Sequence, residues 1–332
     1  MYPSITGHPP TAGLMSILEQ YDNTKSWIYS NFVQIVCAVR SEGSFSGTID
    51  LSILPGFYGY ACCPWIACSF IKRETVSRFS SSIIDFIINC LDTDNYIYMV
   101  VDQSFLLKTG ISNRFSHDIF IYGYDNEKQV FHVGDFTFTG KFSFEQVPFI
   151  EIEAGYNTDV EDFINYGRGG VGLWTFFGNI DYKFDSSFVK EQLFELRNSF
   201  DISEKYRGVT NRIVSSQAYG FNAYSLLAQF IQSSMERQYG SLKCIHNLYD
   251  HKVIMVQRLE FMSKNGFIHN PDDIISQYKY IKDEFLGLSN LFVKYTMRQD
   301  VKSIERHIPK KLKDIGEIEK TIVDRIIESI VV

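Results

Sequence analysis

The sequence predicts an α+β fold, with an antiparallel sheet in its first half and helices in its second. Three observations carry that prediction. Before residue 155, YIYMVVDQSFL is β-rich throughout, and SHDIFIYGYDNEKQVFHVGDF reads as a hairpin. From about residue 185 the apolar residues recur at steps of three and four. The chain has 332 residues, 45% hydrophobic and 15% aromatic, enough to fill two cores.

The elements follow in order. NTKSWIYSNFVQIVCAVRS, from Asn23, predicts a buried helix with a polar start, capped by Thr24 or Ser26. TIDLSILPGFYGYACCPWIACSF predicts short extended pieces broken by Pro55, Gly56 and Pro64. ETVSRFSSSIIDFIINCLDTDN predicts an amphipathic helix through Val76, Phe79, Ile83, Ile84, Ile87 and Ile88. In the hairpin, Ile119, Ile121 and Tyr122 lead to a turn at Gly123-Tyr124-Asp125-Asn126, and Val130, Phe131 and Val133 return. FTGKFSFEQVPFIEIEAGY adds one or two strands. Five helical segments follow, punctuated by Gly208, Gly220, Gly240, Gly266, Pro271, Pro309 and Gly316. The predicted organisation is a core domain over 1–155, a linking segment over 156–184 and a helical domain over 185–332.

The hairpin also points to chemistry. Its outer ends place His117 and Asp135 across from each other, close enough to hydrogen-bond. That is the orienting half of a Cys-His-Asp or Ser-His-Asp site, whose nucleophile must come from elsewhere. A plain strand-end hydrogen bond for His117 is the other reading.

Charge and cysteine usage narrow the classes. A net charge of −7 implies no general affinity for nucleic acid or an anionic membrane. The N-terminus lacks the pattern of a secretory signal, and no run of about 18 apolar residues predicts a membrane span. Cys37, Cys62, Cys63, Cys68, Cys90 and Cys244 are spread widely, as expected of reduced thiols in a cytoplasmic protein. ACCPWIAC invites a zinc reading, but adjacent cysteines point to opposite sides of a strand and no second ligand pair completes four. No metal or cofactor is therefore expected. Cys62 and Cys63 stay as candidate nucleophiles that a loop could bring to His117. GRGGVG, from Gly167 to Gly172, matches a dinucleotide fingerprint in form, but its context predicts an inter-domain loop. His246 and Asp250 would share a helix face, with Glu260 further on, as a pocket lining or an inter-helix polar face. PKKLK, from Pro309, predicts a solvated helix start.

HDIFIYGYDNEKQVFHVGDF resembles the signature of papain-like and bacteriocin-peptidase-like proteins: His, apolar strand, Gly-Tyr-Asp turn, strand, Asp. It looks most like the N-terminal domain of the butirosin biosynthesis protein H family. Members are cysteine-protease-like acyltransferases associated with antibiotic and nonribosomal peptide clusters. The resemblance covers residues 20 to 150. It implies a papain-like core with a buried N-terminal helix beside the antiparallel sheet, and a helical appendage that packs against it. It also implies His117 as general base and Asp135 as its orienting partner. The family's Cys would open the helix WIYSNFVQIV, where this chain has Trp27. Cys37 lies ten positions on, about 15 Å along a helix axis, too far to replace it. Ser26 and Ser30 are nearer, and a helix N-terminus would stabilise a developing anion there; a serine at such a place also serves as a cap. The resemblance thus implies acyl or peptidyl transfer, forming an amide or ester from a carrier-protein-bound acyl group. The implied partner is an acyl or peptidyl carrier protein or a biosynthetic enzyme. The alternative is a catalytically inactive homologue that binds a carrier protein, peptide or biosynthetic enzyme.

Overall fold

In the computed structural model, which describes residues 2–39, 47–55, 62–158, 170–206, 217–233 and 238–332, the helix expected from Asn23 stops at Ser30. The chain turns at Asn31 and Phe32, where Phe32 takes a positive φ of 56°. Val33, Ile35, Val36 and Val39 then favour a strand, because their branched side chains suit a pleated surface better than a helix. The elements in chain order are α1 (Pro9–Leu18), α2 (Lys25–Ser30), β1 (Ile35–Val39), β2 (Ile49–Ile53), β3 (Ile66–Ile71), α3 (Arg73–Phe79), α4 (Ile83–Asp92), β4 (Asn95–Asp102), β5 (Ser116–Asp125), β6 (Val130–Asp135), β7 (Ser143–Pro148), α5 (Phe149–Tyr156), β8 (Val171–Phe176), α6 (Ser186–Asn198), β9 (Gln217–Tyr219), α7 (Asn222–Ser233), α8 (Gln238–Lys264), α9 (Pro271–Met297) and α10 (Val301–Ser329).

The fold is α+β with antiparallel sheets and a helical C-terminal region. The chain divides into two units, Met1–Asp22 with Tyr58–Asp181, and Asn23–Phe57 with Tyr182–Val332. This differs from the division expected at 155 and 184. Residues 23 to 57 group with the helices, because β1 and β2 form a short hairpin that pairs with β9 and lies under α8. A lone two-stranded hairpin is marginal in water and needs such cover. The segment expected to link domains contributes β8 to the interior of the first unit's sheet, so Val171 and Gly172 of GRGGVG are sheet residues. Residues 159–169, including Gly167, lie outside the described residues.

The first unit is a six-stranded antiparallel sheet in the order β3-β8-β4-β5-β6-β7. One face carries Ile97, Met99, Val101, Ile119, Ile121, Phe131 and Val133, covered by Ile83 and Ile87 of α4 and Phe149, Ile152 and Tyr156 of α5. The other face carries Tyr98, Phe120 and Trp174 under α1, with Tyr98 stacked on Trp174 and Phe120 tilted against it. Gly13 permits that approach: a Cβ there would stand 3.2 Å from the Phe120 ring. The buried helix of this unit is therefore α1, not the one expected from Asn23. Pro9 and Pro10 open it, where proline's missing N–H costs nothing, and Leu14, Met15, Ile17 and Leu18 are buried. The single helix expected over 74–95 is two, α3 and α4, and Ser82 caps the second by accepting from Ile84 N.

The second unit packs helices on the small sheet β2-β1-β9. Beyond residue 190, β9 is the one named strand among the described residues, and it pairs with β1 rather than with the large sheet. Arg258 donates to the Tyr29 and Asn31 carbonyls and so satisfies acceptors left open where α2 ends. Pro309 and Gly316 do not break the last helix as expected. Both lie inside α10, where a Cβ on Gly316 would come 3.1 Å from the Tyr224 ring. PKKLK is accordingly mid-helix, with Pro309 and Leu312 buried rather than a solvated start.

Candidate functional site

Strand alternation and register bring His117 and Asp135 together. His117 is the second residue of β5, pairs with Val101 on β4 and shares the face of Ile119 and Ile121. Asp135 ends β6 on the face of Phe131 and Val133. The β5–β6 ladder runs through Ile121 opposite Val133, so Asp135 is diagonal to His117. His117 Nδ1 lies 3.5 Å from Asp135 Oδ1 and 3.0 Å from the Asp118 carbonyl. The ring is a quarter exposed, whereas the Asp135 carboxylate is buried. Phe115 stacks on the His117 ring with centroids 5.4 Å apart and planes 14° off parallel.

The carboxylate is held by more than the histidine. Asp135 Oδ1 accepts from Phe136 N at 2.5 Å, and Oδ2 accepts from Thr137 Oγ1 at 3.2 Å. Oδ2 also accepts from Gln103 Nε2, and the same nitrogen reaches the Asp118 carbonyl at 3.4 Å. Gln103 follows β4 and is fully buried; its N donates to the Phe115 carbonyl at 2.8 Å and extends the β4–β5 ladder. Sequence reasoning missed this residue. Two polar side chains, Asp102 and Gln103, directly after the apolar run IYMVV were the available signal. Asp102 fixes the connection that carries Phe115: Oδ1 accepts from Ser104 N, Ser104 Oγ and Phe115 N, and Arg114 Nε lies 3.5 Å from Oδ2. Burial alone would raise the Asp102 pKa, but these bonds and the Arg114 charge lower it below the usual carboxylate value.

Electrostatics favour a protonatable imidazole. Burial pulls the His117 pKa down; the hydrogen bond and charge of Asp135, with Asp118 beside it, outweigh that, so the net shift is upward. With Nδ1 engaged, Nε2 has no hydrogen-bond partner among the described residues. Two buried acceptors next to the pair, Gln103 Oε1 and Asp118 Oδ1, also have no partner there. The arrangement can take a proton at Nε2 and hold the resulting cation against a buried carboxylate.

The candidate nucleophiles divide between the two units. Ser26 and Ser30 belong to the second unit. Ser30 is buried, and its Oγ accepts from Asp185 N at 3.2 Å. Cys62 and Cys63 belong to the first unit; Cys62 is exposed and Cys63 buried. Burial pushes the Cys63 thiol up to about 12, against the reactive thiolate. Cys37 lies on β1 opposite Leu51, not on a helix, and burial pushes it to about 12 as well. Among the described residues of the first unit, no hydrogen bond or ion pair links His117 to Cys62 or Cys63.

The remaining polar residues singled out in the sequence sit in the second unit. His246 Nε2 and Asp250 Oδ1 share a face of α8 at 3.6 Å, and Glu260 pairs with Lys279 at 2.7 Å. Inside the helices, Glu319 accepts from Lys252 at 2.6 Å, Tyr224 at 2.6 Å and Tyr278 at 2.5 Å. Lys252 Nζ donates to His251 Nδ1 at 2.8 Å, and His251 Nε2 donates to the Val33 carbonyl at 2.8 Å. Burial, then the Lys252 charge, lowers the His251 pKa well below its ordinary value, consistent with a neutral ring. Among the described residues no three metal-ligating side chains converge, and no helix is long and apolar enough to cross a membrane. No known protein-family model matches the chain, and no curated protein matches it.

Proposed function

We propose that the protein transfers an acyl or peptidyl group from a carrier-protein thioester to an amine or hydroxyl acceptor, with His117 as general base. One observation supports this above others. His117 Nδ1 is tied to the Asp118 carbonyl and faces the buried Asp135 carboxylate, which leaves Nε2 for a substrate. In this reading the acceptor's N–H or O–H proton passes to Nε2 as its heteroatom attacks the thioester carbonyl. The thiolate of the carrier arm then leaves and takes the proton back from Nε2. Asp135 orients the ring and stabilises the imidazolium between those steps. A papain-like core around the β5–β6 hairpin, a cytoplasmic location and a carrier-protein partner belong to the same proposal. No chain nucleophile needs to touch His117 for direct transfer; Cys62 is the exposed candidate in the same unit if a covalent intermediate intervenes.

The second reading is a catalytically inactive homologue that binds a carrier protein, peptide or biosynthetic enzyme. It is favoured by the lack of any polar contact between His117 and Cys62 or Cys63, the candidate nucleophiles of its own unit, among the described residues. Acyl transfer from carrier-protein thioesters to a panel of amines separates the two. The catalytic reading expects turnover that His117→Ala lowers by about 10² to 10⁴ in kcat/KM. Turnover indifferent to His117→Ala overturns the assigned role, and carrier-protein binding without turnover supports the second reading.

A further inference from the structure

The first unit carries a cleft, near the end of β5 and the start of β4, of about 500 Å³. Its walls are aromatic: Tyr21, Tyr96, Tyr122, Tyr124 and Phe176, with Asp94 and Asn95 between them. Such a volume suits a small organic ligand. Several rings are set before any ligand arrives. Tyr21 stacks on Phe176 at 4.2 Å, and Tyr124 OH donates to Asp92 at 2.8 Å. The β5 ladder shifts register between Ile121 and Gly123, so Tyr122 is the bulged residue. Bulges re-aim a side chain, and the Tyr122 ring remains 36% exposed.

The polar groups decide which chemistry fits. Asn95 Nδ2 is used on Cys90 O and Thr93, and Asn95 Oδ1 accepts from Thr175 Oγ1. It therefore builds the floor and offers no amide donor to a ligand. Asp94 is exposed, and it stands near enough to the Tyr96 hydroxyl to help raise its pKa after burial and Tyr21. None of the described residues that line the cleft is basic. Electron-rich ring faces with one carboxylate and no opposing cation attract positive charge that is weakly hydrated.

We propose that this cleft binds a compact organic cation, a quaternary or methylated ammonium, against the rings of Tyr21, Tyr96, Tyr122 and Phe176, with Asp94 as counter-charge. This inference is independent of the role assigned to His117. The 332-residue chain is titrated with choline and with its uncharged isostere 3,3-dimethylbutan-1-ol, following the Gly123 amide by NMR and the heat by calorimetry. Choline should saturate with a Kd in the millimolar range, and the alcohol should bind at least about 10-fold more weakly. Asp94→Asn should weaken choline about 5- to 10-fold and leave the alcohol unchanged. Asp94 has a φ of +60°, which asparagine tolerates, so this variant keeps the fold. Tyr122→Leu should remove the choline response from Gly123. The proposal is overturned if choline does not saturate by about 50 mM, well above the expected Kd. It is equally overturned if the alcohol binds as well as choline, if Asp94→Asn has no effect, or if a neutral monosaccharide saturates the same amide while choline does not.

Discussion

Asp135→Asn is the sharpest single test of the His117 site. Four donors converge on the Asp135 carboxylate: Phe136 N, Thr137 Oγ1, Gln103 Nε2 and the His117 ring. An asparagine has nearly the same shape but only one oxygen. Whichever way its amide turns, an NH₂ group meets a donor in a buried place. A buried donor left unmatched costs about 1–3 kcal/mol, so a loss of about 2 kcal/mol is expected at neutral pH. The pH dependence separates this from a purely steric effect. The folded-state pKa of His117 is raised, so its pairing stabilises the protein fully below the unfolded value of 6.5. That stabilisation is lost as pH rises through the folded pKa. The penalty for Asp135→Asn should therefore be larger at pH 5.5 than at pH 8.5. Urea midpoints at the two pH values measure the penalty, and the His117 ring proton shift measures the pKa, which should fall in the variant. Equal penalties at both pH values, or a His117 titration that does not move, would refute the pairing.

Two further outcomes test the rest of the structure. Glu319→Gln should cost about 3–5 kcal/mol, because it leaves the Lys252 ammonium buried without a counter-charge; a change in the unfolding midpoint equivalent to under about 1 kcal/mol would show the pair to be hydrated. Iodoacetamide at pH 8 should label Cys62 well before Cys37 and Cys63, which are buried with thiols near 12 and so about one part in ten thousand ionised. Direct transfer expects His117→Ala to leave the Cys62 rate unchanged, and peptide mapping that shows a large drop would restore a Cys–His mechanism.

Local pattern was enough for the α+β class, the β5–β6 hairpin and the C-terminal helices. Alternation and turn residues are short-range signals, and so are helical steps of three and four, although the turn lies at 126–129 and Gly123 to Asp125, expected to turn, pair within β5. His117 and Asp135 share a face because the bulge at Tyr122 shifts the register, from Gly123 opposite His132 to Ile121 opposite Val133, and local alternation does not reveal that shift. Other features depended on contacts distant in sequence. Residues 31 to 39 read as helix, and they are strand because β1 finds β2 on one side and β9, about 180 residues later, on the other. β8 looked like a linker because its place beside β3 and β4 is written in those strands, not in its own glycines. Gln103 belongs to the site only because the ladder carries it under Asp135, across 32 positions of chain. Pro309 and Gly316 read as punctuation, yet burial against α7 outweighs their poor helix propensity. Sequence by itself determined the periodicities and which residues of one strand point the same way. Tertiary structure decided which strands are neighbours and which helix is buried. It also decided which polar groups share a desolvated site, because those choices depend on apolar area and hydrogen-bond partners supplied by segments far apart in the chain.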